Sequence, residues 1–161
     1  MLAKTPKSSK GKSFRNFAQR RFQARLAAVQ ALYQMDLSGT GIYAIIKEYE
    51  NFHLGKIVDN ISYEQADVAW FRKLVLGVVE HQKTIDPILN NILDEKWSLS
   101  RLDMTLRAIF RVAAWEIIYE RDLSLAIIIS QYVDIARAFF DDEEPKVTNS
   151  VLDTLGKSIR K

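Results

Sequence analysis

Arginine side chains are the groups in this sequence whose type and spacing could do chemistry. Arg20, Arg21 and Arg25 lie within six positions, and no Asp or Glu precedes Asp36. A guanidinium group presents a planar set of N–H donors that suits phosphate oxygens, and it can also stack on exposed bases. The pattern favours nucleic-acid binding over an ordinary cationic helix face, which stays open as the alternative. It does not separate RNA from DNA.

Residues that support catalysis are sparse. His53 and His81 fall in different predicted elements without metal-ligand spacing, and the sequence has no Cys, no phosphate-binding glycine loop and no nucleophile elbow. Glu116 and Glu120 are four apart on a predicted helix, an arrangement that many solvated carboxylates share. We therefore expect no enzymatic activity, no metal and no cofactor.

Charge is distributed unevenly along the chain. The first 25 residues contain eight of the 23 Lys and Arg side chains, which leaves 15 basic against 20 acidic side chains and a net charge of −5 for the rest. A basic end on an acidic body indicates a polyanion partner at that end. We expect residues 1–13 to form a flexible basic arm when unbound, or an idle tail, ahead of one helical domain at 14–161. No secretory signal or membrane-spanning stretch is apparent.

Helical periodicity predicts an all-α bundle of about seven helices, and we find no convincing strand. Phe22, Leu26, Val29 and Tyr33 form one apolar stripe of a first helix that should begin between residues 14 and 20 and end near Ser38. The other helices are expected at 42–52, from a capping box at Ser62 and Gln65 to about 84, and at 87–93, 102–119, 125–140 (capped by Ser124) and 147–159. Gly77 in the third of these predicts close approach of a neighbouring helix.

Several segments resemble one family in the same order along the chain. The run from Ala24 to Tyr33, Ala-Arg-Leu-Ala-Ala-Val-Gln-Ala-Leu-Tyr, resembles the opening helix of the NusB family of bacterial transcription antitermination factors. Segments that begin at Trp97, Arg107, Tyr132 and Lys146 resemble its later helices. The resemblance covers about residues 20–159 and implies an all-α fold of two three-helix halves.

The resemblance also implies a function and a set of site residues. The family's role is non-enzymatic and cytoplasmic: it binds single-stranded boxA RNA together with NusE, a small-subunit ribosomal protein. That complex joins the transcription elongation complex and supports processive transcription of ribosomal RNA operons. The family's RNA-binding residues carry over to Arg20, Arg21, Arg25 and Lys146, and its NusE contact carries over to Tyr33.

Four positions depart from the family's pattern. Ser130 and Gln131 stand in place of Asn-Glu, Val147 replaces an aromatic residue, and Leu106 replaces an acid that is a candidate partner contact. These departures concern RNA specificity and motivate an alternative, a diverged helical protein-interaction module with weak, nonspecific RNA binding. A third reading, the NusB-like module of an RNA methyltransferase, is remote because no catalytic domain follows in the sequence.

Overall fold

Six α-helices make up most of the described chain. The computed structural model describes residues 7–58, 60–62, 66–94 and 97–160. The helices are α1 (Lys7–Ser38), α2 (Ile42–Phe52), α3 (Val68–Ile92), α4 (Met104–Tyr119), α5 (Leu125–Phe139) and α6 (Glu143–Ile159). A 3₁₀ turn spans Leu99–Arg101, and a small antiparallel hairpin pairs β1 (Ile57–Val58) with β2 (Ile61–Ser62). The all-α prediction is confirmed, although the hairpin was not expected.

The helices form two groups of three, and α4 of the second group packs against the first. Helices α1, α2 and α3 pack on one another, as do α4, α5 and α6, and α4 also packs against α1 and α3. Nearly every residue of α4 from Ala108 to Ile117 is buried, as expected of a helix that is apolar on all sides. The predicted arrangement of two three-helix halves is therefore confirmed.

Gly77 lies where α3 meets α4 most closely. A Cβ atom at this position would come within 2.2 Å of Cε2 of Trp115 on α4. That separation is far below van der Waals contact, so only glycine lets the indole ring lie against the α3 backbone. The predicted reason for a glycine in this helix is confirmed.

The predicted break near Pro87 is wrong, because α3 continues through this residue to Ile92. Pro87 is exposed, whereas Ile85 and Leu89 on either side of it are fully buried. The carbonyl that loses its helical donor therefore lies on the solvent side, where water can satisfy it. Burial of the other face keeps the helix continuous, which reduces the expected seven helices to six.

The starts of the helices are set by local side chains. Ser124 caps α5 as predicted, since its hydroxyl accepts a hydrogen bond from the N–H of Ile127. The capping box predicted for α3 is wrong: Ser62 belongs to β2, and Gln65 lies outside the described residues. Instead the carboxylate of Asp67 caps α3 by accepting from the N–H of Trp70 at 2.9 Å.

Two helices begin earlier than the sequence suggested. Helix α6 begins at Glu143, because two glutamates suit the positive end of a helix and Pro145 is tolerated in a first turn. Helix α1 begins at Lys7, so residues 7–13 of the expected flexible arm are helical, and residues 1–6 lie outside the described part. The flexibility of residues 1–13 in the unbound chain stays a prediction.

Candidate nucleic-acid interface

The three arginines predicted to bind nucleic acid all lie on α1 and occupy different environments. Arg20 is exposed, Arg21 is half-buried, and Arg25 is only 4% exposed. The backbone carbonyl of Arg20 accepts a hydrogen bond from the N–H of Asp67 at 3.1 Å, which ties α1 to the start of α3. Of these three, only Arg20 is exposed, so the cationic face is narrower than the spacing suggested.

Arg21 is held in place by aromatic rings and a carboxylate. Its guanidinium lies 3.8 Å from the ring centroid of Trp70 and 4.7 Å from that of Phe17. Its Nε donates to Asp67 at 3.1 Å. Cation–π contacts and an ion pair together fix a side chain that would otherwise lose much rotamer freedom on binding a ligand. No carboxylate of α1 precedes Asp36, but Asp67, the residue that caps α3, supplies one to Arg21.

Arg25 forms a buried ion pair with α4. Its Nε and Nη2 donate to the two carboxylate oxygens of Glu116, both at 2.7 Å, and its Nη1 donates to Oε1 of Gln131 at 2.9 Å. Glu116 is fully buried and also accepts a hydrogen bond from the hydroxyl of Tyr132. Reading Glu116 as a solvated carboxylate was therefore wrong. We call Arg25, Glu116, Gln131 and Tyr132 the Arg25 network.

Burial and charge shift two pKa values in this network. Burial raises the pKa of Tyr132 well above its ordinary value, and the neighbouring charge of Glu116 raises it further. Burial alone would lower the pKa of Arg25, but the hydrogen bonds and charge of Glu116 outweigh it, so the pKa of Arg25 is raised. Arg25 therefore stays a cation and Tyr132 a neutral hydroxyl at ordinary pH.

A groove of about 470 Å³ runs between α1 and α5, and we call it the α1–α5 groove. Phe17, Arg21 and Arg25 line it from α1, and Ile127 and Gln131 line it from α5. Two of these side chains are apolar and largely exposed: Phe17 at 49% and Ile127 at 54%. The exposed side chains of Phe17 and Ile127 lie in the same groove as the guanidinium of Arg21. A groove with both apolar and cationic side chains suits a ligand that is both aromatic and anionic.

Lys146 lies on the opposite side of α5. It is exposed and lines a second groove of about 690 Å³ between α5 and α6, together with Arg137 and the two carboxylates of Asp141 and Asp142. Ala126 and Ser130 of α5 line both grooves. The cations of α1 and Lys146 of α6 therefore flank one narrow ridge of α5 made of small side chains.

Of the four residues that depart from the family pattern, two pack in or against the core and two line the α1–α5 groove. Val147 is half-buried and packs against the core, and Leu106 is 1% exposed and belongs to the core. The side chain of Leu106 therefore does not belong to the protein's surface. Ser130 and Gln131, in contrast, both line the α1–α5 groove. Of the four departures, this pair bears most directly on what the groove can bind.

Tyr33, the residue carried over as a partner contact, lies farther along α1. It is half-buried. Thirteen residues separate it from Arg20, which corresponds to about 20 Å along a helix axis. Near it, Asp36 approaches Arg111 at 3.4 Å, and Arg111 also pairs with Asp86 at 2.9 Å. The two predicted contact regions therefore lie at separate positions on one helix.

Other kinds of site have little support in the described residues. No group of three or more His, Cys, Asp or Glu side chains there could hold a metal ion. No helix in the described ranges is long and apolar enough to cross a membrane. The fold and the two grooves together define a helical protein whose cationic side chains flank a ligand-sized surface. This arrangement is compatible with a polyanionic ligand.

The chain belongs to the NusB family, whose sequence model matches residues 22–157. It is 53% identical over 143 residues to the transcription antitermination protein NusB of Mesorhizobium japonicum, covering 89% of this chain and 92% of that protein. The NusB of Bartonella tribocorum is 50% identical over 151 residues, covering 94% and 97% of the two chains. Both similarities extend over nearly the whole of each relative.

Solved structures agree with this assignment. A crystal structure of the antitermination factors NusB and NusE in complex with dsRNA contains a chain that is 27% identical, with a TM-score of 0.71. The match covers 87% of this chain and 98% of that one. The solution structure of NusB from Aquifex aeolicus is 28% identical, with a TM-score of 0.67 and coverage of 86% and 88%. The family expected from the motifs is therefore confirmed.

Proposed function

We propose that this chain is a transcription antitermination factor that binds boxA-type RNA together with NusE. In this role it would join the bacterial transcription elongation complex in the cytoplasm and support processive transcription of ribosomal RNA operons. It would act by binding and without catalysis. The relatives' names and the solved NusB–NusE complex with RNA support the class of function.

The observation that carries the proposal is the placement of cations on both sides of α5. Arg21 of α1 lines the groove on one side of α5, with the exposed Arg20 next to it in sequence, and Lys146 of α6 lines the groove on the other side. A strand that crosses the small side chains of α5 would bring its phosphates to both cationic edges. Phosphate contacts of this kind supply most of the affinity for nucleic acid and make it sensitive to salt.

The four RNA-binding residues then divide by accessibility. Arg20 and Lys146 are exposed and would contact phosphates directly. Arg21, with 19% of its side chain exposed, would contribute from the edge of the groove. Arg25 is nearly buried, so we assign it mainly a positioning role through the Arg25 network. The NusE contact assigned to Tyr33 would use a separate part of α1.

One observation favours the alternative of a diverged interaction module with weak RNA binding. Two of the three candidate arginines are paired with carboxylates, Arg21 with Asp67 and Arg25 with Glu116. Each pair reduces the positive potential that a polyanion would meet. If the remaining cations are too few for specific binding, RNA affinity will be low and independent of sequence.

Fluorescence anisotropy with a labelled boxA-like strand and a scrambled strand tests the proposal. The measurements use the full chain, with and without NusE, at two salt concentrations, and they include a double-stranded RNA. We expect preference for the boxA strand that increases when NusE is present. Weak binding that ignores sequence, with or without NusE, would refute the proposal and favour the diverged module.

Two substitutions test the assigned phosphate contacts. Arg20→Ala and Lys146→Ala should each weaken binding to all strands and reduce the salt slope by about 0.7, the value for one contact to a single strand. Lys157→Ala is a matched control, because Lys157 is 76% exposed and pairs with Asp153 near the other end of α6. Equal slopes in all three variants would contradict the assignment.

A further inference from the structure

We propose that the α1–α5 groove binds one unpaired base of the RNA, with Phe17 stacking on the base and Gln131 donating a hydrogen bond to a carbonyl on its edge. The inference rests on the proposed RNA-binding function and deepens it by naming a place where sequence is read. The volume of about 470 Å³ falls within the range of about 300–1,000 Å³ typical of ligand sites.

Phe17 provides the aromatic surface that a base requires. Its ring is 49% exposed at the groove, and Ile127 of α5, also lining the groove, is 54% exposed. Base–aromatic stacking accepts any base, because every base has a π face. Arg21 lies 4.7 Å from the Phe17 ring centroid, so a cation accompanies the aromatic ring. This combination of charge and apolar surface favours a nucleotide over an apolar peptide side chain as the occupant.

Gln131 provides a donor of fixed orientation. Its Oε1 accepts from Nη1 of Arg25 at 2.9 Å. Arginine has only donors, so the amide oxygen must face Arg25 and the NH₂ group must occupy the other side. Glu116 accepts two hydrogen bonds of 2.7 Å from Arg25. Because Arg25 is held in this way, its hydrogen bond to Gln131 also fixes the orientation of the Gln131 amide. Because its amide oxygen is engaged by Arg25, Gln131 lacks the free donor–acceptor pair that binds adenine in a bidentate manner. We therefore expect a base with a carbonyl at its pairing edge, such as uracil or guanine, to bind better than adenine.

The charge of the Arg25 network explains why an amide suits this position. With Gln131, the buried cation of Arg25 is balanced by the one carboxylate of Glu116. A glutamate at position 131 would place a second carboxylate against Arg25 and give the Arg25 network a net negative charge. The glutamate of the family pattern would thus replace the donor by an acceptor and add one negative charge beside the groove. The departure at Gln131 therefore gives this groove its own base preference.

The test measures the coupling between Phe17 and individual bases. The probes are a labelled boxA-like RNA and a set of copies, each with one abasic position. We expect Phe17→Ala to weaken binding of the intact RNA about 5- to 150-fold, the range spanned by one stacking contact, without changing the salt slope. At one abasic position the difference between wild type and Phe17→Ala should disappear. Phe52→Ala, an exposed phenylalanine of α2, is the control and should bind like wild type.

The second measurement tests the donor. RNAs that carry uracil, guanine or adenine at the coupled position should separate in affinity with wild type, and Gln131→Ala should remove that separation at this position alone. Gln131→Glu should weaken binding of all three. Phe17→Leu keeps apolar packing and tests whether the loss in Phe17→Ala comes from the π face. Thermal melting of each variant confirms that the protein is folded.

The outcomes separate this inference from the proposed function. If wild type prefers the boxA strand while Phe17→Ala and Gln131→Ala bind like wild type, the base site is refuted and the proposed function stands. If Phe17→Ala weakens binding of NusE and leaves RNA binding unchanged, the occupant is a protein and the inference is overturned. If wild type shows no preference for the boxA strand, the proposed function fails first, and the base site fails with it.

Discussion

Removing Arg25 should destabilise the fold far more than removing an exposed arginine. Glu116 is 0% exposed and receives two hydrogen bonds of 2.7 Å from Arg25. In Arg25→Ala the buried carboxylate keeps the hydroxyl of Tyr132 and loses its counter-charge. Loss of one partner of a buried ion pair costs about 3–5 kcal/mol. At about 2–4 °C per kcal/mol for a domain of this size, Tm should fall by about 6–20 °C.

Urea unfolding at pH 7, followed by far-UV circular dichroism, measures the change in the free energy of unfolding. Arg72→Ala is the matched control, because Arg72 pairs with Glu50 but is 54% exposed. Exposed pairs contribute about 0–1 kcal/mol. The double variant Arg25→Met with Glu116→Leu should recover most of the loss, because it leaves no unpaired charge in the core.

The reasoning would be refuted if Arg25→Ala and Arg72→Ala lost similar free energy, or if the double variant were less stable than Arg25→Ala. Either result would mean that Glu116 is hydrated or neutral when Arg25 is absent. The measurement also has to precede any RNA assay on Arg25. Lower RNA affinity of an Arg25 variant reflects loss of a contact only where the variant is shown to be folded.

Two further predictions follow from buried side chains. The raised pKa of Tyr132 means that the unfolded chain loses this proton near its ordinary value of about 10 while the folded chain keeps it, so stability is retained below that pH and falls above it. Between pH 8 and 11, wild type should lose about 1.4 kcal/mol more unfolding free energy than Tyr132→Phe, and parallel curves would contradict the assignment. Gly77→Ala should cost about 1–3 kcal/mol by overpacking against Trp115, whereas Gly41→Ala, with open space around it, serves as the control. Equal melting temperatures of the two glycine variants would disprove the close contact.

The sequence predicted elements well where the determining signals are local. The bounds of α2 match the expected 42–52, and the Ser124 cap fixes the start of α5. Pro87 is the contrasting case. Whether a proline ends a helix depends on which face it occupies, and burial of Ile85 and Leu89 on the other face keeps α3 intact. That information comes from tertiary packing, which residue spacing alone does not contain.

The sequence predicted which cations belong to the candidate site, but it did not predict how far each is buried or which carboxylate it pairs with. Spacing placed Arg21 and Arg25 on one flank of α1, yet the carboxylates that pair with them, Asp67 and Glu116, are 46 and 91 residues away. One usable signal was present. Glu116 sits in a helix that is otherwise apolar from residue 112 to 118, and a carboxylate in such a run is seldom buried without a cation.

The Arg25 network also connects the fold to the proposed function. Through Arg25, helix α1 is bound to Glu116 of α4 and Gln131 of α5, directly beside the α1–α5 groove. Both proposed contact regions then lie on one anchored helix, about 20 Å apart. A helix fixed at this point transmits little movement, so binding at one end need not reshape the other. If NusE enhances RNA binding as proposed, we expect the gain to come from contacts that NusE itself adds to the RNA, and linkage then requires that RNA enhance NusE binding by the same factor.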